Sequence, residues 1–341
     1  MRVARLHGPR DLRLSDEPVP SPLAGESLVR VTAVGICGSD LHWWNESGIG
    51  DARLSRPLVL GHENAGVIAA GPRAGERVAI DPAIPCERCL PCREGYRNLC
   101  PEVRFAGHGS TDGGLREFLA WPSELLYPLP DALTDHDGAL LEPLGVAAHA
   151  IDLGHLRLGG QAAVIGCGPI GLLLIQLLRR TGAGRVVAFD PLPHRREAAG
   201  RLGADLTADP AAVTDQQDLT SGGADVTFEF AAGHGAGGGA AVPLAIAATR
   251  PGGRVVLGGI PDDDQIAFPA SAARRKGLTL ALVRRMNEAY PRAIRLAAGG
   301  AVDLAALVSD SYPLAEAEQA FRAAAGRAGL KTIVEPGAGS A

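Results

Sequence analysis

The pattern of polar and apolar positions changes period once along the chain. Over 27–34 (SLVRVTAV) the two classes partly alternate, as in a strand with one buried face. Shorter β-like runs follow at 66–70 and 77–80, punctuated by Gly and Pro, and little helical periodicity precedes residue 139 or so. Beyond residue 159 the texture alters. A short apolar run at 162–165 leads into a glycine-rich turn at 166–171, and the apolar stretch 172–178 continues it as a helix. Strands are predicted at 185–189, 225–230, 254–257 and 278–283, with helices at 193–202 and around 240–249. Alternating strands and helices build βαβ units and a parallel sheet. The tail, 290–335, carries two short helical patterns and a last strand at 330–334. The glycine run 233–239 (GHGAGGG) reads as a loop ahead of a helix. The fold class expected is therefore α/β: a β-rich first part and a doubly wound parallel sheet.

Composition narrows the functional classes. A chain of 341 residues has room for two or three domains of about 100–200 residues each. With 46% hydrophobic and 21% charged residues it has the make-up of a soluble globular protein. No apolar run reaches the roughly 18 residues of a membrane span. Residues 1–10 are charged and lack an apolar core, so no secretory signal and a cytoplasmic location are expected. A net charge of −5 without a basic tract argues against a nucleic-acid or anionic-membrane partner. Of six cysteines, four crowd into 86–100, which is the behaviour of metal ligands rather than of disulfides in a reducing compartment.

Three constellations carry chemistry. The first is Gly166-Cys167-Gly168-Pro169-Ile170-Gly171, a G-x-G-x-x-G that follows a strand and opens a helix, with Asp190 ending the next strand. Gly166 permits the tight turn, Gly168 lets a pyrophosphate approach the backbone, and Gly171 lets helix and strand pack closely. Asp190 would accept hydrogen bonds from ribose hydroxyls and repel a 2′-phosphate, favouring NAD over NADP; Arg195 and Arg196, just beyond, bear on that preference. The alternative is a glycine-rich turn with no ligand. The second is Cys86-x2-Cys89-x2-Cys92-x7-Cys100, whose thiolates can close a tetrahedron around Zn²⁺ and so pin a lobe. An iron–sulfur cluster fits the last interval less well, and net acidity disfavours a nucleic-acid-binding ribbon. The third comprises Cys37, Ser39 and His42 in GICGSDLH (35–42) with His62 and Glu63 in GHE (61–63). Cys, His and carboxylate can bind Zn²⁺ and leave a position open, although single Cys and His residues more often only pack. Glu142, in an apolar setting, is costly unless paired or near a metal; otherwise it is a carboxylate at a helix N-terminus.

Taken in order, GICGSDLH, GHE, the four-cysteine cluster, LLEPLGVA (140–147), GCGPIG and RPGGRVVLGG (250–259) resemble the zinc-dependent medium-chain dehydrogenases, most closely their polyol branch. The resemblance covers nearly the whole chain. It implies a GroES-like catalytic domain over 1–150 with a structural zinc lobe at about 82–104, a Rossmann NAD-binding domain over 151–285, and a return to the catalytic domain over 286–341. It implies two zinc ions per subunit. The catalytic one would be held by Cys37, His62, Glu63 and Glu142, the last meeting the metal or holding its water as a catalytic group; the structural one would be held by Cys86, Cys89, Cys92 and Cys100. Ser39 and His42 match the proton relay. Gly166, Gly168, Pro169, Ile170, Gly171, Asp190, Arg195, Leu257, Gly258, Gly259, Leu282 and Val283 match NAD-contacting positions. Arg284 falls where polyol enzymes contact sugar hydroxyls, and Trp43 could wall the substrate pocket, whereas Trp44 is expected only to pack. Arg285 departs from an aromatic common in sorbitol enzymes; two successive arginines suit a sugar acid.

The expected activity is transfer of hydride from a secondary hydroxyl of a polyol or sugar acid to NAD⁺. Threonine, an aminocyclitol or a simple secondary alcohol are alternative substrates, and a non-catalytic zinc- and NAD-binding sensor is the alternative from another class. The resemblance further implies a homo-oligomer, dimer or tetramer.

Overall fold

A computed structural model of the chain describes residues 1–212, 222–231, 238–261 and 265–337. It divides into two compact units, Met1–Glu142 together with Tyr290–Ala341, and Pro143–Ala289. Among the described residues no helix is long and apolar enough to cross a membrane.

The first unit is built on a mixed sheet. Its strands run in the order Leu126–Pro128, Arg77–Ile80, Glu63–Ala70, Glu26–Gly35, Lys331–Glu335 and Val308–Pro313, and Phe118–Pro122 pairs with the start of Glu26–Gly35. The alternation predicted at 27–34 is seen as buried Ser27, Val29 and Val31. It then gives way to three consecutive buried residues, Ala33, Val34 and Gly35, where the strand lies between Glu63–Ala70 and Lys331–Glu335. Val29, Val31, Val34, Leu60, Ile68, Val78 and Ile80 join Trp43, Trp121 and Phe321 in one core. Burial of each such large side chain contributes about 1.5–3 kcal/mol.

The second unit carries a six-stranded parallel sheet in the order Leu206–Ala208, Arg185–Phe189, Gln161–Ile165, Ala224–Glu229, Thr249–Leu257 and Thr279–Leu282. That order reverses direction beside Gln161–Ile165, the topological switch point of a Rossmann sheet. Strands buried on both faces explain why these segments read as plain apolar runs: Ala162 to Ile165 and Val186 to Phe189 are all buried.

Some elements differ from expectation. A helix at Gly38–Glu46 was not legible as periodicity. It is only nine residues long, and its start is set by a capping interaction in which Cys37 N–H donates to Asp40 Oδ2 at 3.0 Å. The long helix begins at Asp135, ahead of the predicted residue 139, and runs to Gly154 through Pro143. The strand Val308–Pro313 was missed because it is a half-exposed sheet edge with a polar sequence. Most of the glycine run 233–239 lies outside the described residues.

Candidate active site

The donors of the third constellation converge within the first unit. Cys37 precedes the helix Gly38–Glu46, and Glu63 opens the strand Glu63–Ala70 with His62 just ahead of it. Ligand atoms of Cys37, His62 and Glu63 all lie within 4.8 Å of one another. Two glycines make this possible. Gly61, at φ +94°, turns the chain into His62 in a conformation that disfavours other residues. A Cβ on Gly35 would stand 2.0 Å from Glu63 Oε2, so only glycine leaves room for that carboxylate.

His62 is oriented from behind. Its Nδ1 lies 3.3 Å from Asp40 Oδ1, and Asp40 is itself buried, accepting from Cys37 N–H and, at 3.3 Å, from Gly61 N–H. Burial would by itself lower the His62 pKa, but the charges of Asp40 and Cys37 outweigh it and hold the imidazole well above its ordinary range. Burial likewise works to raise Asp40, yet His62 and the two backbone N–H donors bring it below the usual carboxylate value. The opposite ring atom, Nε2, lies 3.5 Å from Ser39 Oγ, the outer limit of a hydrogen bond. A carboxylate on one imidazole nitrogen fixes the tautomer that offers the other to a metal.

Glu142 stands in the middle of the helix Asp135–Gly154, not at its N-terminus, so the helix dipole does not account for it. It is buried, and burial pushes its carboxyl up to about 7 against the pull of His62. It falls outside the set of mutually close donor atoms. His42 and Trp43 are buried on the same helix as Ser39. Trp43 Nε1 donates to His108 Nδ1 at 3.2 Å, and Trp44 packs against Phe321.

The four cysteines form a second set whose sulfur atoms lie within 4.8 Å of one another. The helix Leu90–Arg93, the turn Arg97–Leu99 and the paired strands Ala83–Ile84 and Arg104–Phe105 close the lobe around them. Backbone N–H groups of Cys86 and Cys89 donate to the sulfurs of Cys100 and Cys86. N–H donors, from Arg88 first, bring the Cys86 thiol down to about 7. Four such thiolates suit a closed tetrahedral zinc site, and the Cys–His–Glu set suits an open one.

In the second unit the glycine-rich turn separates three roles. Gly166 takes φ +90°. A Cβ on Gly171 would fall 1.9 Å from Gly166 O, so the protein itself requires this glycine. Gly168 has an ordinary φ of −71°, and its Cβ would meet only Arg195 Nη1, at 3.7 Å. Nothing in the protein demands a glycine there, which leaves the open space that a close-lying phosphate needs. Pro169 starts the helix Pro169–Arg180, with Ile170 in its first turn. Asp190 is buried and spans the turn: Oδ2 accepts from Cys167 N–H at 2.8 Å and Oδ1 from Leu192 N–H at 2.9 Å. Arg196 donates to the carbonyls of Asp190 and Pro191. Leu257 ends its strand, and Gly258 and Gly259 both donate to Glu229 O. Leu282 ends the edge strand and is 70% exposed; Val283 and the exposed Arg284 follow it.

Two residues of the first site escaped the sequence reading. Asp40 was visible only as the acid three residues after Cys37. Lys331 Nζ lies 2.8 and 2.7 Å from the two oxygens of Glu63, and the pair is buried. Its signal was compositional: the chain has two lysines among 33 basic residues.

Metal donors in one unit and a dinucleotide turn in the other are the combination found in zinc-dependent dehydrogenases with GroES-like and Rossmann domains. Comparison with known proteins agrees: residues 23–131 match the alcohol dehydrogenase GroES-like domain and residues 169–299 match the zinc-binding dehydrogenases. The chain belongs to the zinc-binding alcohol dehydrogenase family, and it is an oxidoreductase. It is 34% identical to a sorbitol dehydrogenase of Bacillus subtilis over 95% of this chain and 93% of that one. It is 37% identical to a probable D-xylulose reductase A of Arthroderma otae, covering 96% and 95% respectively. Among solved structures, the L-idonate 5-dehydrogenase of Escherichia coli superposes with a TM-score of 0.90 at 27% identity, over 98% of this chain and 97% of that chain.

Proposed function

We propose that the protein oxidises a secondary hydroxyl of a polyol or sugar acid to the ketone, with NAD⁺ as acceptor and one catalytic and one structural zinc per chain. The observation that carries this reading is the convergence of Cys37, His62 and Glu63, with buried Glu142 in place of a further cysteine. The named relatives, which act on sorbitol, xylulose and idonate, support the substrate class.

Cys37, His62 and Glu63 would hold the catalytic zinc, and Cys86, Cys89, Cys92 and Cys100 the structural one. When bound, the catalytic zinc lowers the pKa of a nearby hydroxyl toward neutrality, and NAD⁺ supplies the hydride acceptor. The chain's own residues do the rest. Asp40 keeps the His62 ring in place through Nδ1. Ser39 Oγ, beside His62 Nε2, takes the hydroxyl proton and passes it toward His42, one helical turn on the same face. Glu142 orients water at the same centre. The turn Gly166–Gly171 binds the pyrophosphate and Asp190 the adenosine ribose, with Ile170, Arg195, Leu257, Gly258, Gly259, Leu282 and Val283 as further cofactor contacts. Arg284 is assigned to substrate hydroxyls or a carboxylate, and Trp43 to the pocket wall.

The test is nicotinamide reduction against sorbitol, xylitol, iditol, idonate, threonine and simple secondary alcohols, with and without a chelator. Chelator-sensitive turnover of a polyol or aldonate is expected. A Cys37→Ser variant should lose turnover while still binding NAD⁺. Turnover of threonine or a simple alcohol alone would overturn the substrate assignment, and full activity in Cys37→Ser would overturn the metal assignment.

A further inference from the structure

Glu63 has a buried partner that the proposed reaction does not use. Lys331 is 2% exposed and Glu63 is 1% exposed. All three protons of the Lys331 ammonium are placed: two hydrogen bonds go to the Glu63 oxygens, and the third goes to Ile36 O at 3.0 Å. Ile36 is the residue before Cys37. Strand register explains the arrangement. Lys331–Glu335 pairs antiparallel with Glu26–Gly35, Ile333 opposite Gly35 and Val334 opposite Val34, and Ile36 N–H donates to Thr332 O. The same register carried two residues further sets Lys331 level with Cys37.

Glu63 is therefore gripped from two sides, by the ammonium and by the backbone of Gly35, where even a Cβ would collide with Oε2. Each carboxylate oxygen has about two acceptor directions. Glu63 can thus keep the ammonium while turning its remaining lone pairs toward a cation. Thiolate and the Glu63 carboxylate together balance a divalent ion, and the buried Asp40 carboxylate behind His62 balances the Lys331 ammonium. The choice of lysine is itself informative. The chain uses arginine almost throughout, and its two lysines, Lys276 and Lys331, each direct three hydrogen bonds from one compact ammonium. A planar guanidinium cannot reproduce that convergence.

We propose that Lys331 is a positioning residue of the metal centre: its ammonium fixes the Glu63 carboxylate and the backbone leading to Cys37 in the geometry that receives the ion. The inference rests on the reading that Cys37, His62 and Glu63 hold a metal. Partners that orient metal ligands typically contribute 10–100-fold in affinity.

The experiment compares wild-type protein with Lys331→Met and Lys331→Arg, each loaded with cobalt in place of the catalytic zinc. Three quantities are read: metal per chain, the visible absorption of thiolate-bound cobalt, and metal transfer to a competing chelator. In Lys331→Met the cobalt should bind roughly 10–100-fold more weakly, with shifted bands, while the four-cysteine zinc is retained. Lys331→Arg, which keeps the charge and changes the reach, should shift the bands and recover part of the affinity. Wild-type affinity and spectrum in both variants would overturn the proposal; if Lys331→Met does not fold, the same result in Lys331→Arg alone would do so. A wild-type protein that takes up metal only at the four cysteines would overturn the centre itself, before any variant is compared.

Discussion

In the proposed function one side chain, Asp190, serves structure and recognition together. Its two oxygens accept from Cys167 and Leu192 N–H, so the carboxylate ties the glycine-rich turn to the end of the neighbouring strand. Lone pairs remain for ribose hydroxyls. Hydrogen bonds to a charged group contribute about 1.5–3 kcal/mol, so Asp190→Ala should weaken NAD⁺ binding by roughly 10- to 150-fold. NADP⁺ binding should fall much less, because the mutation also removes a repelling charge. Parallel titrations of the two cofactors check this; equal losses would leave Asp190 with the turn alone. At this scale the sequence was most legible where chemistry is local. The four cysteines and the glycines announce themselves by spacing. Asp40 and Lys331 did not, because an acid three residues from a cysteine has many uses, and Lys331 meets Glu63 only through tertiary pairing 268 residues apart.

At the level of the element, the turn and helix spanning Gly166 to Arg180 separate two demands that the motif merges. Gly171 is required by the approach of helix to turn, and Gly168 by nothing within the protein. Gly171→Ala should therefore lower stability by about 1–3 kcal/mol or more, since the intruding methyl meets backbone that cannot step aside. Gly168→Ala should leave the melting temperature nearly unchanged and weaken NAD⁺ binding instead. Thermal melts with and without cofactor separate the cases; a large loss of stability in Gly168→Ala would contradict the open space beside it. The central strands of this sheet were legible because burial on both faces leaves continuous apolar runs, whereas the short, exposed edge strand Leu206–Ala208 was not. The helix Gly38–Glu46 was not, being short and dominated by its cap, and neither was the polar edge strand Val308–Pro313.

For the molecule as a whole, the two units differ in how they are assembled from the chain. Pro143–Ala289 is continuous, whereas the first unit needs Met1–Glu142 and Tyr290–Ala341 together. Within that unit Tyr290 is buried, donates to Ile80 O at 2.8 Å and stacks on Tyr127. A fragment of residues 143–289 is expected to fold and bind NAD⁺. A fragment of residues 1–142 is expected to fold only when 290–341 is supplied. Circular dichroism and cofactor titration of the separate fragments check this, and an independently folded 1–142 would show that the returning strands are dispensable. Periodicity disclosed both textures, alternating then βαβ, whereas the return of 286–341 to the first domain was read only from the family resemblance. Local periodicity carries no record of which distant strand a segment will join.

The ion pair of Glu63 with Lys331 also has a consequence in time. The four cysteines lie within fifteen consecutive residues, Cys86 to Cys100, and the strand that closes their lobe ends at Phe105, so a nascent chain can present the proposed structural zinc site early. The proposed catalytic pocket is not yet complete at that point. Its carboxylate awaits a lysine made 268 residues later, and the sheet beside it awaits the same strand. On the proposed ligand sets, metal loading acquires an order during synthesis, lobe first and reaction centre last, and a chain whose translation stops short of Lys331 lacks both the partner of Glu63 and the strand beside Gly35.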